Sequence, residues 1–183
     1  YLIVDIPIRF KIYLFWKNLI SKKDDSPHIK ITKEGRGVRS VLFFLPEKKE
    51  DAKIINYFVK IENPISDYEI GLICSEKAKL FYPHIENVSL FTYNDKDLNY
   101  FNTIKSVSLL NEIKIKKYDA IVDLNTNFCA ASSMLFFDLD APLKIGFDSL
   151  INRKIYTITL ERKENAFLES YFSRILSLLG VKF

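Results

Sequence analysis

The chain has 183 residues, of which 48% are hydrophobic and 27% charged. This composition is that of one globular domain and excludes an intrinsically disordered chain. Its net charge of +4 is mild and its basic and acidic residues alternate along most of the sequence, so no nucleic-acid partner is expected. Cys74 and Cys129 lack metal-ligand spacing, which indicates reduced thiols in a cytoplasmic protein. No apolar run reaches the roughly 18 residues that a membrane-spanning helix needs.

Residues 1–36 are predicted to form an N-terminal helical appendage to a domain that covers residues 37–183. The segment 6–20 combines aromatic and aliphatic residues with basic neighbours such as Arg9, Lys11 and Lys17. Such a composition suits a helix that lies in a membrane interface, although the polar residues do not segregate onto one face. The segment therefore contacts a membrane interface, a protein partner or its own domain, and the sequence leaves these three possibilities open.

From residue 37 onward, short apolar runs alternate with segments of helical periodicity. The run Val41–Leu45 is continuously apolar, as in a strand buried on both faces, and a helix from about 51 to 62 should end near Pro64. Further strands are predicted at 69–74, 88–92, 119–124, 143–146 and 155–160, with helices at about 77–82, 98–116, 129–133 and 164–179. This alternation predicts an α/β fold, a Rossmann-like three-layer domain with a mainly parallel sheet.

Two of these helices have predicted buried faces. The helix at 98–116 should bury the residues at helical spacing, which are Phe101, Ile104, Val107, Leu110 and Ile113. The last helix should end at Gly180 and bury Phe167, Leu168, Tyr171, Ile175 and Leu178.

In an open α/β sheet, ligands bind beyond the carboxyl ends of the strands. The loop 46–51, the turn 125–127 and the segment 146–148 each follow or end a predicted strand. We therefore expect these three segments to converge at one edge of the sheet and to form the ligand site.

The order of elements over about residues 39–181 resembles the N-terminal half of family 9 glycosyltransferases, the bacterial ADP-heptose:lipopolysaccharide heptosyltransferases. The resemblance is carried by the strand Tyr118-Asp119-Ala-Ile-Val-Asp123-Leu124 with its polar turn Asn125–Asn127, by Ile145-Gly-Phe-Asp148 and by Leu-Leu-Gly at 178–180. The chain also resembles this family in having a basic residue before the first strand and an Asp, at position 51, beyond that strand. The resemblance implies one half of a GT-B fold.

In that family, an Asp in the first loop is the general base that deprotonates the acceptor hydroxyl, which then displaces ADP with inversion. Asp51 aligns with this residue, but an Asp there also suits the start of a helix. The resemblance further implies a glycan or lipid-linked sugar acceptor as the partner. Its expected contacts are Lys48, Asn125, Thr126, Asn127, Gly146 and Asp148.

The chain also departs from the family pattern. Members usually carry Arg-x-Gly-Asp in the first loop, whereas here Glu50 replaces the glycine and Lys48 is only an approximate basic counterpart. The sequence also stops at Phe183, just past the end of the N-terminal half, without the half that binds the nucleotide-sugar. We therefore expect a heptosyltransferase-like domain that is non-catalytic by itself and acts as a binding or scaffold module. The alternative is the acceptor-binding fragment of an active, inverting glycosyltransferase of lipopolysaccharide or envelope-glycan synthesis, peripheral on the inner face of the membrane.

Other kinds of site are not indicated. His28 and His84 have no Cys or His neighbour at metal-ligand spacing, and no cofactor is expected because a Gly-rich phosphate loop and a Walker motif are both absent. Ser132 and Ser133 lack the Gly-x-Ser-x-Gly elbow of a hydrolase.

Overall fold

The computed structural model describes residues 8–20, 37–58, 68–82, 88–162 and 167–180. The strands are β1 (Ser40–Phe44), β2 (Glu69–Ser75), β3 (Ser89–Tyr93), β4 (Ala120–Asp123), β5 (Leu143–Phe147) and β6 (Ile158–Leu160). The helices are α1 (Ile8–Ile20), α2 (Lys49–Phe58), α3 (Val107–Ile115), α4 (Ala130–Asp138), α5 (Asn152–Ile155) and α6 (Leu168–Leu179). Short 3-10 turns lie at Ala78–Phe81 and Asp95–Asp97. His28 and His84 lie outside the described residues.

The six strands form one sheet in the order β3-β2-β1-β4-β5-β6, and every pair of neighbours is parallel. Strand β1 is central, since Val41 pairs with Ile70 of β2 on one side and with Ala120 of β4 on the other. Phe43 and Ile121 are fully buried, because helices cover both faces of a parallel sheet. The predicted Rossmann-like α/β fold with a mainly parallel sheet is confirmed.

Successive residues of β1 enter two different cores, since side chains alternate between the faces of a strand. Val41 and Phe43 pack with the core that includes α2 and α6, whereas Leu42 and Phe44 pack with the core that includes α3 and α4. The domain therefore has the expected three layers.

The prediction for residues 98–116 is wrong over its first half. Helix α3 starts only at Val107, whose side chain is 69% exposed instead of buried. The Asn99 side chain accepts hydrogen bonds from the backbone N–H groups of Phe101 (2.9 Å) and Thr103 (3.1 Å), and Asn102 has a φ of 58°. Asparagine competes for backbone donors in this way and tolerates the left-handed region, so a turn forms in place of a helix.

Helix α6 ends as predicted at Gly180, which has a φ of 68° and donates its N–H to the carbonyls of Leu176 and Ser177. Its buried face is shifted at both ends. Phe167 and Leu178 are exposed although they were expected in the core, whereas Phe172 and Leu179 are buried. The buried residues of this helix are Leu168, Tyr171, Phe172, Ile175 and Leu179.

Helix α1 packs on the α/β domain through aromatic contacts. Phe10 is buried and meets the Phe128 ring edge-on at 5.1 Å between centroids, and Tyr13 stacks on Phe101 at 4.9 Å. Lys17 forms an ion pair with Asp138 at the end of α4. The sequence left open whether this helix contacts a membrane interface, a protein partner or its own domain. The face of α1 that carries Phe10 and Tyr13 contacts its own domain.

Candidate functional site

Asp51 and Thr126 come together where the strand order of the sheet reverses. The chain runs outward from β1 through β2 to β3 and then returns to β4 on the other side of β1. Asp51 lies in the first turn of α2, directly after β1, and Thr126 lies in the turn after β4. Thr126 Oγ1 donates a hydrogen bond of 2.5 Å to Asp51 Oδ2. The pair therefore occupies the topological switch point, the crevice in which open α/β sheets bind ligands.

A cavity of about 210 Å³ opens at this point, and we call it the switch-point cavity. It brings together five of the seven residues predicted for the site, since Lys48, Asp51, Asn125, Thr126 and Asn127 all line it. The remaining lining residues are Pro46, Glu47, Phe128 and Cys129. The expected convergence of loop 46–51 and turn 125–127 is therefore observed.

Asp51 is held at this cavity by the start of α2. The first helical hydrogen bond runs from the N–H of Ala52 to the carbonyl of Lys48 at 2.9 Å. A carboxylate in the first helical turn is stabilised by the helix dipole, and the bond to Thr126 fixes its orientation. Asp51 is only 4% exposed. Asp51 therefore lies both at the start of a helix and at the cavity, so the two interpretations of this residue from the sequence are compatible.

The turn 125–127 is shaped by the buried carboxylate of Asp123, which sequence reasoning did not single out as a site residue. Its Oδ1 accepts from Asn125 N (3.0 Å) and Nδ2 (2.7 Å), and its Oδ2 accepts from Ser132 Oγ (2.6 Å) and Tyr156 OH (2.6 Å). Burial raises the pKa of Asp123, against the opposing effect of these hydrogen bonds. The one signal in the sequence was an Asp that ends an apolar strand directly before the Leu-Asn of the polar turn.

Gly146 and Asp148 are not among the residues that line the switch-point cavity. Gly146 is within β5, where the ring of Tyr156 lies against it. Asp148 follows β5 and is paired with Arg153, whose Nε donates to its Oδ1 at 2.7 Å. The Arg153 guanidinium lowers the pKa of Asp148.

A larger cavity of about 490 Å³ adjoins the first on the β3 side, and we call it the β3-side cavity. Glu47, Phe128 and Cys129 line both cavities. In the β3-side cavity, Tyr93 OH donates to Glu47 Oε1 at 2.9 Å, and burial raises the pKa of Tyr93. Sequence reasoning did not identify this cavity, because the residues that line it come from distant segments of the chain, with polar side chains at positions 9, 47, 75, 77, 93–95 and 102.

The two cysteine thiols of the domain have raised pKa values. Burial, with a smaller effect from the charge of Asp123, raises the pKa of Cys129 to about 11. Burial also raises that of Cys74 to about 11. Ser132 and Ser133 are fully buried. Both thiols are largely protonated at neutral pH, and the thiolate is the reactive form of cysteine.

Across the described ranges, no group of three or more His, Cys, Asp or Glu residues is arranged to hold a metal ion. Among the helices of those same ranges, none is long and apolar enough to cross a membrane.

Comparison with known proteins shows similarity at the level of the fold. No protein-family model and no curated protein sequence matches this chain. Among solved structures, E. coli heptosyltransferase WaaC with ADP matches with a TM-score of 0.55 and 12% identity over 78% of this chain and 48% of that chain. The fold is heptosyltransferase-like. WaaC with ADP-2-deoxy-2-fluoro heptose gives a TM-score of 0.54 and 13% identity over 79% of this chain and 49% of the other.

The chain therefore spans about half the length of the solved chains that it matches. At such low identity the likeness concerns architecture, and it is to a Rossmann-like domain of a GT-B glycosyltransferase. The fold implied by the family resemblance is thus confirmed, whereas its chemistry rests on the residues of the site.

Proposed function

We propose that this chain is a heptosyltransferase-like domain that binds a glycan or lipid-linked sugar acceptor in the switch-point cavity and is non-catalytic by itself. The observation that carries this proposal is the position of Asp51, a nearly buried carboxylate at the topological switch point that is oriented by Thr126. The heptosyltransferase-like fold supports it as well.

The residues that line this cavity suit a sugar with an acidic substituent. Asp51 can accept a hydrogen bond from a sugar hydroxyl, Asn125 and Asn127 offer amide donors and acceptors, and Lys48 offers a positive charge to a phosphate or carboxylate. Asp148 lies at the carboxyl end of β5, two strands away from β1. We propose that Asp148 and the adjacent Gly146 border the far end of an extended acceptor.

The size of the effects supports the proposal that this domain is non-catalytic by itself. One general base contributes about 10²–10⁴-fold, whereas enzymes accelerate reactions by roughly 10⁶–10¹⁷-fold. In addition, Glu50 stands in the first turn of α2 at the place where the resembling family has a glycine that allows close ligand approach. A binding or scaffold role therefore explains the residues present better than transfer by the isolated domain.

The alternative is that the chain is the acceptor-binding part of an active, inverting glycosyltransferase of lipopolysaccharide or envelope-glycan synthesis. In that case Asp51 takes the proton of the acceptor hydroxyl as its oxygen attacks the anomeric carbon of a nucleotide-sugar and the diphosphate leaves. The observation in favour of this alternative is the retained carboxylate itself. An acceptor of this class would place the domain at the cytoplasmic face of the inner membrane.

The test is a titration of the isotope-labelled chain with a deacylated lipid-A-type acceptor, followed by NMR. We expect amide shift changes at residues 46–51 and 125–127, and weaker binding in Lys48→Ala. Lys53→Ala is the matched control, because Lys53 is exposed on α2, the helix that follows Lys48, and does not line the cavity. Shift changes confined to the opposite edge of the sheet, or equal losses in the two lysine variants, would refute the proposal.

A further inference from the structure

Helix α1 has a second apolar face that points away from the domain. Ile8, Ile12, Phe15 and Trp16 are 75%, 54%, 64% and 61% exposed. They follow the spacing i, i+4, i+7 and i+8, which places them on one stripe of the helix, and we call it the outer stripe. Phe10, Tyr13 and Leu14 pack inward on the opposite side. The polar residues of α1 do not form a single face because both sides of the helix are apolar.

The apolar surface continues from the outer stripe onto α5. A groove of about 330 Å³ lies between the two helices, and we call it the α1–α5 groove. Phe15 belongs both to the outer stripe and to this groove, and Leu150, which is strongly exposed, lies on the other side. The remaining lining residues are Lys11, Leu14, Phe137, Ile151, Lys154 and Ile155.

The charged residues at this surface are basic. Arg9 and Lys11 are exposed on α1 next to the outer stripe, and Lys154 lies across the groove from Lys11. No acidic residue is among the described residues that line the groove. The nearby Asp138 is neutralised by its ion pair with Lys17. The surface is thus apolar at its centre and positive at its margins.

We propose that the outer stripe and the α1–α5 groove dock onto an anionic lipid bilayer, with α1 lying in the plane of the interface. A helix with an exposed apolar face and basic flanks binds in this way. Lysine and arginine side chains can bury their stems while their charges reach the lipid headgroups. Tryptophan is enriched at the headgroup level of membranes.

The same residues argue against a protein partner on this surface. Lysine is depleted in protein–protein interfaces, yet Lys11 and Lys154 both line the groove. On a bilayer these charges remain at the headgroup level and meet anionic lipids. The proposal is independent of any ligand in the switch-point cavity, because none of the residues that line that cavity belongs to the outer stripe or the groove.

The chain offers a direct probe, since Trp16 is its one tryptophan and lies on the outer stripe. Titration with vesicles of phosphatidylcholine and phosphatidylglycerol should shift its fluorescence to shorter wavelength, and lipids brominated on the acyl chain should quench it. Vesicles of phosphatidylcholine alone should give a much smaller shift. Lys11→Gln should weaken binding about fivefold, because each basic residue near an anionic surface contributes about that factor.

Two variants distinguish binding through the proposed surface from nonspecific hydrophobic binding to vesicles. Ile12→Glu combined with Phe15→Glu should abolish the fluorescence shift, whereas Ile115→Glu should preserve it, because Ile115 is equally apolar and exposed but lies on α3. Both changes are at exposed positions, and circular dichroism of each variant confirms folding. The proposal is overturned if anionic vesicles cause no fluorescence shift, or the same shift as neutral vesicles. It is also overturned if the shift appears without lipid as the protein concentration rises, because that result would indicate that a second copy of the chain binds this surface.

Discussion

The ring of Tyr156 occupies the space that a side chain at Gly146 would need. A Cβ atom at Gly146 would lie 2.2 Å from Cε2 of this ring, and the ring is held in place because Tyr156 OH donates a hydrogen bond of 2.6 Å to Asp123. The glycine of the Ile-Gly-Phe-Asp segment is therefore required for packing between β5 and the buried carboxylate that shapes the turn 125–127.

Gly146→Ala should lower the free energy of unfolding by about 1–3 kcal/mol, because overpacking a filled core costs that much and Tyr156 cannot move without losing its bond to Asp123. Gly71→Ala is the matched control, since its Cβ would meet a terminal methyl group of Leu42 at 2.8 Å and would otherwise make only ordinary contacts with Tyr118 at 3.4–3.5 Å. Urea unfolding of both variants measures the difference. An equal or larger loss in Gly71→Ala would contradict the interpretation.

Asp123 should give the domain a pH-dependent component of stability. Burial raises its pKa in the folded state above the value of 3.8, so the folded state binds the proton more tightly than the unfolded chain does. This contribution is present below the unfolded pKa and is lost as the pH rises through the folded pKa. The difference in unfolding free energy between the unsubstituted chain and Asp123→Asn should therefore fall as the pH rises from about 4 towards neutrality.

Urea unfolding over this pH range measures that difference. Glu112→Gln, which removes an exposed carboxylate on α3, is the control. A difference that increases with pH would show that the hydrogen bonds from Ser132, Tyr156 and Asn125 outweigh burial.

Cys129 should react slowly with iodoacetamide in the folded chain. With a pKa of about 11 instead of 9.0, its thiolate fraction near neutral pH is roughly 100-fold lower than that of an ordinary thiol. Mass spectrometry of the alkylated chain should show a rate that increases with pH up to about 11. Cys74, which has no exposed surface, is the internal control and should be labelled only after unfolding. Fast labelling of Cys129 at neutral pH would contradict this.

The 183-residue chain should show no sugar-transferase activity when incubated with ADP-heptose and a deacylated acceptor, as followed by ADP release. A general base alone contributes about 10²–10⁴-fold, and the chain spans about half of the heptosyltransferase chains that it resembles. Glu50→Gly should not create activity. Turnover above background that disappears in Asp51→Asn would instead support the alternative of an active glycosyltransferase fragment.

The strands could be predicted from sequence because a parallel sheet buries both faces, and runs such as Val41–Leu45 show this directly. Residues 98–106 could not be predicted, because their apolar spacing is helical while Asn99 bonds to its own backbone neighbours. The site was only partly predictable. Asp51 and the turn 125–127 follow strands, so they were expected at the same edge of the sheet. The contact between Tyr156 and Gly146 depends on core packing, which the spacing of residues in the sequence does not specify.

The position of β1 at the centre of the sheet determines how the domain can fold. Val41 pairs with Ile70 of β2 but also with Ala120 of β4, so one edge of β1 stays open until the chain has passed β2 and β3. Every pairing in this sheet joins segments that are separated by a crossover, which makes folding slow compared with that of helical domains. During synthesis, one edge of the apolar strand Ser40–Phe44 therefore stays unpaired until β4 has been made, and unpaired strand edges promote aggregation.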